Sequence, residues 1–229
     1  MDSLETELER ARALDVGDLA DAIESIGFEC TRCGACCKAD ESSESPRRDG
    51  ETVGDDPHTA TVFPDEVREL QATTDYDWRD VARPMPYGLS DGPDGPEGET
   101  FEWALETDAC GDCTFYEERE GEGRCTVHED RPLICETYPF SVALGGTSQP
   151  MGEAVDEAGV VRAHECEGLG RDISRADAED LAAALKERAI RELTEAIGVR
   201  DAYTPVETGP GEVVVHDSEG AKTPDGRTR

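Results

Sequence analysis

Four of the chain's nine cysteines fall within eight residues, Cys30-x-x-Cys33-x-x-Cys36-Cys37. No other feature limits the fold so strongly, because thiols this crowded need a common partner. Two intervening residues let successive thiolates turn back onto one centre, and Gly34 permits the tight turn. Iron–sulfur proteins use a C-x2-C-x2-C run for three ligands and take a fourth from elsewhere, whereas zinc sites use C-x2-C pairs. Adjacent side chains of an extended backbone point opposite ways, so Cys36 and Cys37 are expected to serve two different centres, or one of them none.

The other cysteines are Cys110, Cys113, Cys125, Cys135 and Cys166. The total is odd, and the N-terminus MDSLETELERARALD has neither the basic start nor the apolar stretch of a secretion signal. A disulfide framework is therefore disfavoured and a cytoplasmic location expected, which leaves metal binding or redox chemistry. Cys110-x-x-Cys113 alone would also suit a thiol–disulfide oxidoreductase, although no βαβ pattern surrounds it. Gly121 and Gly123 set a turn ahead of Cys125, Arg131-Pro132 fixes the backbone before Cys135, and Gly168 and Gly170 allow close approach beside Cys166. His128 and His164 are further candidate ligands, while His58 and His216 read as solvated. Arg32 and Lys38 flank the first cluster, where cations would stabilise a centre made negative by thiolates. No Ser-His-Asp arrangement, phosphate loop or dinucleotide fingerprint occurs, and no catalytic acid–base pair can be singled out.

Asp and Glu number 55 against 22 Lys and Arg, giving a net charge of −33. Only Lys38, Lys186 and Lys222 are lysines. An acidic excess spread over nearly every segment is the composition of halophile cytosolic proteins, whose self-repulsion molar salt screens. An acidic face for a basic partner is the rival explanation. The charge argues against nucleic-acid binding, and the lack of an apolar run of about 18 residues argues against membrane insertion.

Apolar spacing predicts one broken helix or two short ones over 2–26, capped by Asp2, divided at Gly17 and stopped by Gly27. Residues 40–58 and 88–100 read as polar loops. Thr59–Phe63 reads as a short strand, Pro64 opens a helix to about Gln71, and Tyr76–Ala82 adds a turn or two. Phe101–Leu105 reads as a strand with Phe101, Trp103 and Leu105 on one face. Phe140–Leu144 and Gly159–Ala163 read as an antiparallel pair joined by a Gly-rich connection. The clearest helix is capped by Ser174, carries Leu181, Leu185, Ala189, Leu193 and Ile197 on one stripe, and ends at Gly198. The expected fold is α+β, a single domain over 1–203 with terminal helices and a small antiparallel sheet around the cysteines. A mostly irregular tail over 204–229, with one strand at Val213–His216, should follow.

Several of these segments together resemble a known family. Phe28-x-Cys30-x-x-Cys33-x-x-Cys36-Cys37, then Cys113 before an aromatic pair, then GRCTVHEDRPLICETYPF, then CEGLG are similar to the CxxCxxCC zinc- or iron-chelating proteins, also called YkgJ-like cysteine cluster proteins. The family's middle motif reads approximately C-x-(I/V)-Y-E-x-R-P-x-x-C-R-x-F-P. This chain offers Cys125, Val127, His128, Glu129, Arg131, Pro132, Cys135, Glu136, Tyr138 and Pro139, with His128 and Glu136 standing where the family has Tyr and Arg. The likeness spans roughly residues 28–170. It implies eight shared metal ligands, Cys30, Cys33, Cys36, Cys37, Cys113, Cys125, Cys135 and Cys166, with Cys110 the extra one. A related cluster in flagellin lysine N-methylase implies a [4Fe–4S]-type iron–sulfur centre and a redox or methyl-transfer context. Nothing matches the rest of that enzyme, so methylase activity is not carried over. Two structural Zn(Cys)4 sites would use the same eight thiolates, and the oxidoreductase reading stays open beside both. The expected partner is an unidentified redox or other protein.

Overall fold

The computed structural model describes residues 2–39, 57–120, 122–144 and 153–229. In chain order its elements are α1 (Leu4–Ala13), α2 (Val16–Ile26), β1 (Thr61–Val62), α3 (Pro64–Thr73), α4 (Trp78–Val81), β2 (Ala82–Pro84), β3 (Ser90–Gly92), β4 (Gly95–Phe101), β5 (Trp103–Leu105), β6 (Tyr116–Arg119), β7 (Glu122–Cys125), α5 (Leu133–Thr137), β8 (Phe140–Val142), β9 (Asp156–Ala158), β10 (Val161–Ala163), α6 (Arg175–Ala202), β11 (Val213–Asp217) and β12 (Gly220–Lys222). The class is α+β. The chain folds into two compact units that interleave in sequence. The first takes Met1–Thr31, Arg131–Tyr203 and Ser218–Gly220, and the second takes Arg32–Asp130, Thr204–Asp217 and Ala221–Arg229.

In the first unit, α1 and α2 pack on α6, and the sheet β8-β10-β9 lies against α2 and α6. Leu8, Leu19, Ile23, Phe140, Val161, Leu185 and Leu193 form its core. Burying each such side chain contributes about 1.5–3 kcal/mol. The break between the first two helices falls at Leu14–Asp15, not at Gly17. Asp15 caps α2 by accepting the Asp18 N–H at 3.1 Å. Ser3, not Asp2, caps α1, accepting the Thr6 N–H at 3.3 Å. Gly27 ends α2 at φ 78°, as its position implies. The expected strand pair appears as β8 and β10 in antiparallel register, Val161 opposite Val142 and Ala163 opposite Phe140. Most of its Gly-rich connection, like Gly121 and residues 40–56, lies outside the described residues.

Ser174 caps α6, accepting the Asp177 N–H at 3.2 Å. The helix does not stop at Gly198 but runs on to Ala202. A side chain at 198 would place its Cβ 2.6 Å from that of Ser218, so this glycine serves close packing rather than termination.

The second unit holds two larger sheets, β1-β5-β2 and β12-β11-β4-β3, and the hairpin β6-β7. Residues 88–100 are not a loop. Ser90 pairs with Glu97 and Gly92 with Gly95 in the β3-β4 hairpin. Thr100 is buried and donates its hydroxyl to the Met85 and Tyr87 carbonyls at 2.6 and 2.7 Å. The strand expected over Phe101–Leu105 is broken at Glu102, whose φ is 72°. Phe101 is thereby left half exposed, while Trp103, Ala104 and Leu105 are all buried.

The tail is more ordered than expected. β11 is buried along its length and pairs in parallel with β4, Val213 opposite Gly98 and His216 opposite Phe101. Its three valines carry enough apolar surface to make a central strand. His216 is accordingly buried and stacked on Phe101, not solvated. Lys222, also buried, meets Asp217 at 2.7 Å, and the same carboxylate oxygen accepts the Trp103 indole N–H at 2.9 Å.

Candidate metal centre

The first unit carries Cys30, Cys135 and Cys166. Phe28 and Leu169 form an antiparallel bridge, Glu29 N–H donates to the Gly168 carbonyl at 3.0 Å, and Gly170 N–H donates to that of Gly27 at 3.0 Å. These bonds fasten the Cys30 segment to the Cys166 loop. A Cβ at 168 would lie 2.3 Å from the Glu29 carbonyl oxygen, so the approach requires glycine. The Gly168 N–H points to the Cys166 sulfur at 3.4 Å.

Cys135 sits in α5, where its N–H donates to the Pro132 carbonyl at 2.9 Å. Pro132 occupies the position before this short helix, as the Arg-Pro reading anticipated for a fixed backbone. The following segment passes a cis peptide at Tyr138–Pro139 into β8. The Tyr138 hydroxyl donates to the Glu165 carbonyl. His164 donates its N–H to the Pro139 carbonyl at 2.9 Å, and its Nε2 lies 2.7 Å from the Ser141 hydroxyl. His164 is thus buried in a polar contact beside Cys166, which speaks for support rather than ligation.

The second unit carries Cys33, Cys36, Cys37, Cys110, Cys113 and Cys125. Gly34, at φ 78°, opens a 3-10 turn over Ala35–Cys37. That curvature corrects the expectation of opposed side chains, because the Cys36 and Cys37 sulfurs lie 3.8 Å apart. Cys113 N–H donates to the Cys37 carbonyl at 2.8 Å, and Gly123 N–H to that of Arg32 at 3.0 Å. Tyr116 pairs with Cys125 across the β6-β7 hairpin, and its ring covers Gly34. Burial pushes the Cys113 thiol up to about 11, with the charges of Cys125 and Cys36 adding and the Phe115 N–H opposing.

Lys38 meets Glu118 at 3.0 Å and stands over the Tyr116 ring at 5.2 Å. This cation beside the cluster is already partnered, and its pKa is raised chiefly by that carboxylate. Cys110 is exposed on a turn where Asp108 accepts its N–H at 2.8 Å. His128 is half exposed, 3.2 Å from Glu129. His58 is not solvated. Desolvation, with Arg83 nearby, lowers its pKa to about 4.

Each unit therefore draws together cysteines far apart in sequence. Among the described residues, no three His, Cys, Asp or Glu side chains stand close enough to hold one ion. The donors fit a soft metal or a metal–sulfur centre in chemistry, and binding would complete their closure, as it does where metal and fold are coupled. Sequence reasoning missed Arg188 and Asp112. Arg188 was findable, since it falls on the same helical stripe as Leu181, Leu185 and Ala189. Asp112, whose Oδ1 accepts the Ala39 N–H at 2.9 Å behind the first cluster, left no sequence signal.

The pattern of one protein family, CxxCxxCC, described as a putative zinc- or iron-chelating domain, matches residues 29–167, more than half of the chain. No curated protein and no solved structure gives a significant match.

Proposed function

Because the chain belongs to the CxxCxxCC family of zinc- or iron-chelating domains, we propose that it carries a [4Fe–4S]-type iron–sulfur centre on cysteine thiolates, in a redox or methyl-transfer-related role. The carrying observation is the spacing of the thiols. Three of them stand in the Cys30-x-x-Cys33-x-x-Cys36 run that iron–sulfur proteins use for three ligands, held on tight backbone connections.

The proposed ligands are drawn from Cys30, Cys33, Cys36, Cys37, Cys113, Cys125, Cys135 and Cys166, with Cys110 outside the set. Once bound, such a centre would supply one-electron transfer. The chain's own part is to hold sulfurs and stabilise their charge. The amides of Phe115 and Gly168 donate to the Cys113 and Cys166 sulfurs, bonds that favour the thiolate that a metal needs. A proteome of halophile type, a cytoplasmic setting and an electron-exchanging protein partner complete the proposal. No helix among the described residues is long and apolar enough to cross a membrane.

A second reading has its own support. With Zn–S of about 2.3 Å, two thiolates on one tetrahedral zinc stand about 3.8 Å apart, and the Cys36–Cys37 separation is 3.8 Å. Structural Zn(Cys)4 sites would stabilise the fold and leave no open position for water. Anaerobic purification followed by metal and acid-labile sulfide analysis separates the two. About four irons with about four sulfides and absorbance near about 400 nm support the first. A colourless protein with stoichiometric zinc overturns it.

A further inference from the structure

We propose that Arg188 and Tyr138 are positioning residues that hold Cys135 and Cys166 in a preset arrangement for metal. This deepens the metal-centre reading and rests on it. Arg188 lies in the middle of α6 and is only 1% exposed, in a core that includes Phe140, Leu185 and Ala189. A buried guanidinium is costly unless it is paired and fully hydrogen-bonded. Its Nε meets Glu192 at 2.7 Å, and its Nη1 donates to the Thr137 hydroxyl at 3.0 Å and the Phe140 carbonyl at 3.2 Å.

Both Nη1 acceptors lie within the few residues after Cys135. Thr137 passes the restraint back, donating its hydroxyl to the Leu133 carbonyl at 2.7 Å. A five-residue helix such as α5 cannot hold its own shape in water, so these bonds decide where Cys135 stands. Tyr138 extends the restraint to the second thiol. Its hydroxyl donates to the carbonyl of Glu165, the residue before Cys166. The contacts of His164 with Pro139 and Ser141 tie the same two segments together. An apolar side chain could fill the volume of Arg188, but it could not bond Thr137 and Phe140. The charge at this position is thus explained by what it orients.

The test uses the full chain with Tyr138→Phe, Arg188→Met and Arg188→Lys. Zinc alone is titrated against a competing chelator. Separately, iodoacetamide labelling of the metal-free protein is followed cysteine by cysteine by peptide mass. Removing groups that orient metal ligands typically costs about 10–100-fold in affinity. Tyr138→Phe and Arg188→Met should lose at least about tenfold and should label Cys135 and Cys166 severalfold faster. Cys113 and Cys125 should keep their rates, and Arg188→Lys, which retains one donor to the Thr137 hydroxyl, should recover part of the loss. Wild-type zinc affinity and wild-type labelling in both deletions would overturn the proposal. Should Arg188→Met fail to fold, Tyr138→Phe, which loses only one hydroxyl from a half-buried ring, decides alone. Should the wild type bind neither zinc nor iron, the metal reading fails while the labelling rates still judge the positioning.

Discussion

Gly34→Ala tests how the first cysteine cluster is shaped. Gly34 stands at φ 78° at the head of the turn that carries Cys36 and Cys37. A residue with a side chain pays about 1–2 kcal/mol for that left-handed backbone. The added Cβ would also lie 2.5 Å from Cε2 and 2.6 Å from the hydroxyl of Tyr116. Overpacking of this kind costs about 1–3 kcal/mol more. The sum predicts a loss of about 2–5 kcal/mol, read by urea unfolding of the metal-free protein and accompanied by weaker metal binding. The two contributions separate in a cycle with Tyr116→Ala, which removes the obstructing ring. The Tyr116–Glu118 hydrogen bond and the Lys38–Tyr116 contact are lost on both sides of that cycle and cancel. In the Tyr116→Ala background, Gly34→Ala should cost only the backbone share, about 1–2 kcal/mol. A cost below about 0.5 kcal/mol in the native background, or an equal cost in both, would refute the account.

Leu185→Asp places an unpaired carboxylate in the core of the first unit, where Leu185 is fully buried. It should destabilise by several kcal/mol in chemical denaturation. Asp217→Asn leaves the buried Lys222 ammonium without its counter-charge, so a loss of about 3–5 kcal/mol is expected by the same measurement. Cys113 makes stability pH-dependent. Burial holds its folded pKa at about 11, above the ordinary thiol value of about 9, so the folded state keeps the proton longer. The stabilisation is complete below about pH 9 and is lost as pH rises through about 11, on the order of 2–3 kcal/mol in metal-free protein. Thermal unfolding across that range should show the decline, and Cys113→Ala should flatten it.

The helical frame was legible because its signals are local. The cap Ser174, the stop at Gly27 and the apolar stripe of α6 depend on neighbours within a few residues. The misread elements depend on distant partners. Residues 88–100 read as a polar loop by composition, yet they form the β3-β4 hairpin, and pairing with β11 from the far end of the chain sets β4 inside a four-stranded sheet. Gly198 looks like a helix end because the pressure of Ser218 on that surface has no sequence signature. The buried lysine of the tail was invisible for the same reason, since its partners Asp217 and Trp103 come together only after folding.

The candidate site divides along the same line. Which residues bear thiols, and that Gly34 and Gly168 must be glycines, follow from the sequence and hold in the structure. Which remote loops the thiol segments bond to does not. The run from Cys30 to Cys37 is continuous in sequence, and its two ends take their main-chain partners within different units. Cys30 is fixed through Glu29 to Gly168, whereas Cys37 is fixed to Cys113 and Arg32 to Gly123. These are main-chain bonds between remote loops, and no spacing rule encodes them. The relative orientation of Cys36 and Cys37 was misread through a related omission. The alternation rule assumes extended backbone, but a left-handed glycine two residues upstream had already turned the chain into a 3-10 coil. Once that glycine's φ is taken into account, the extended-strand alternation no longer applies to this pair, whose sulfurs stand 3.8 Å apart.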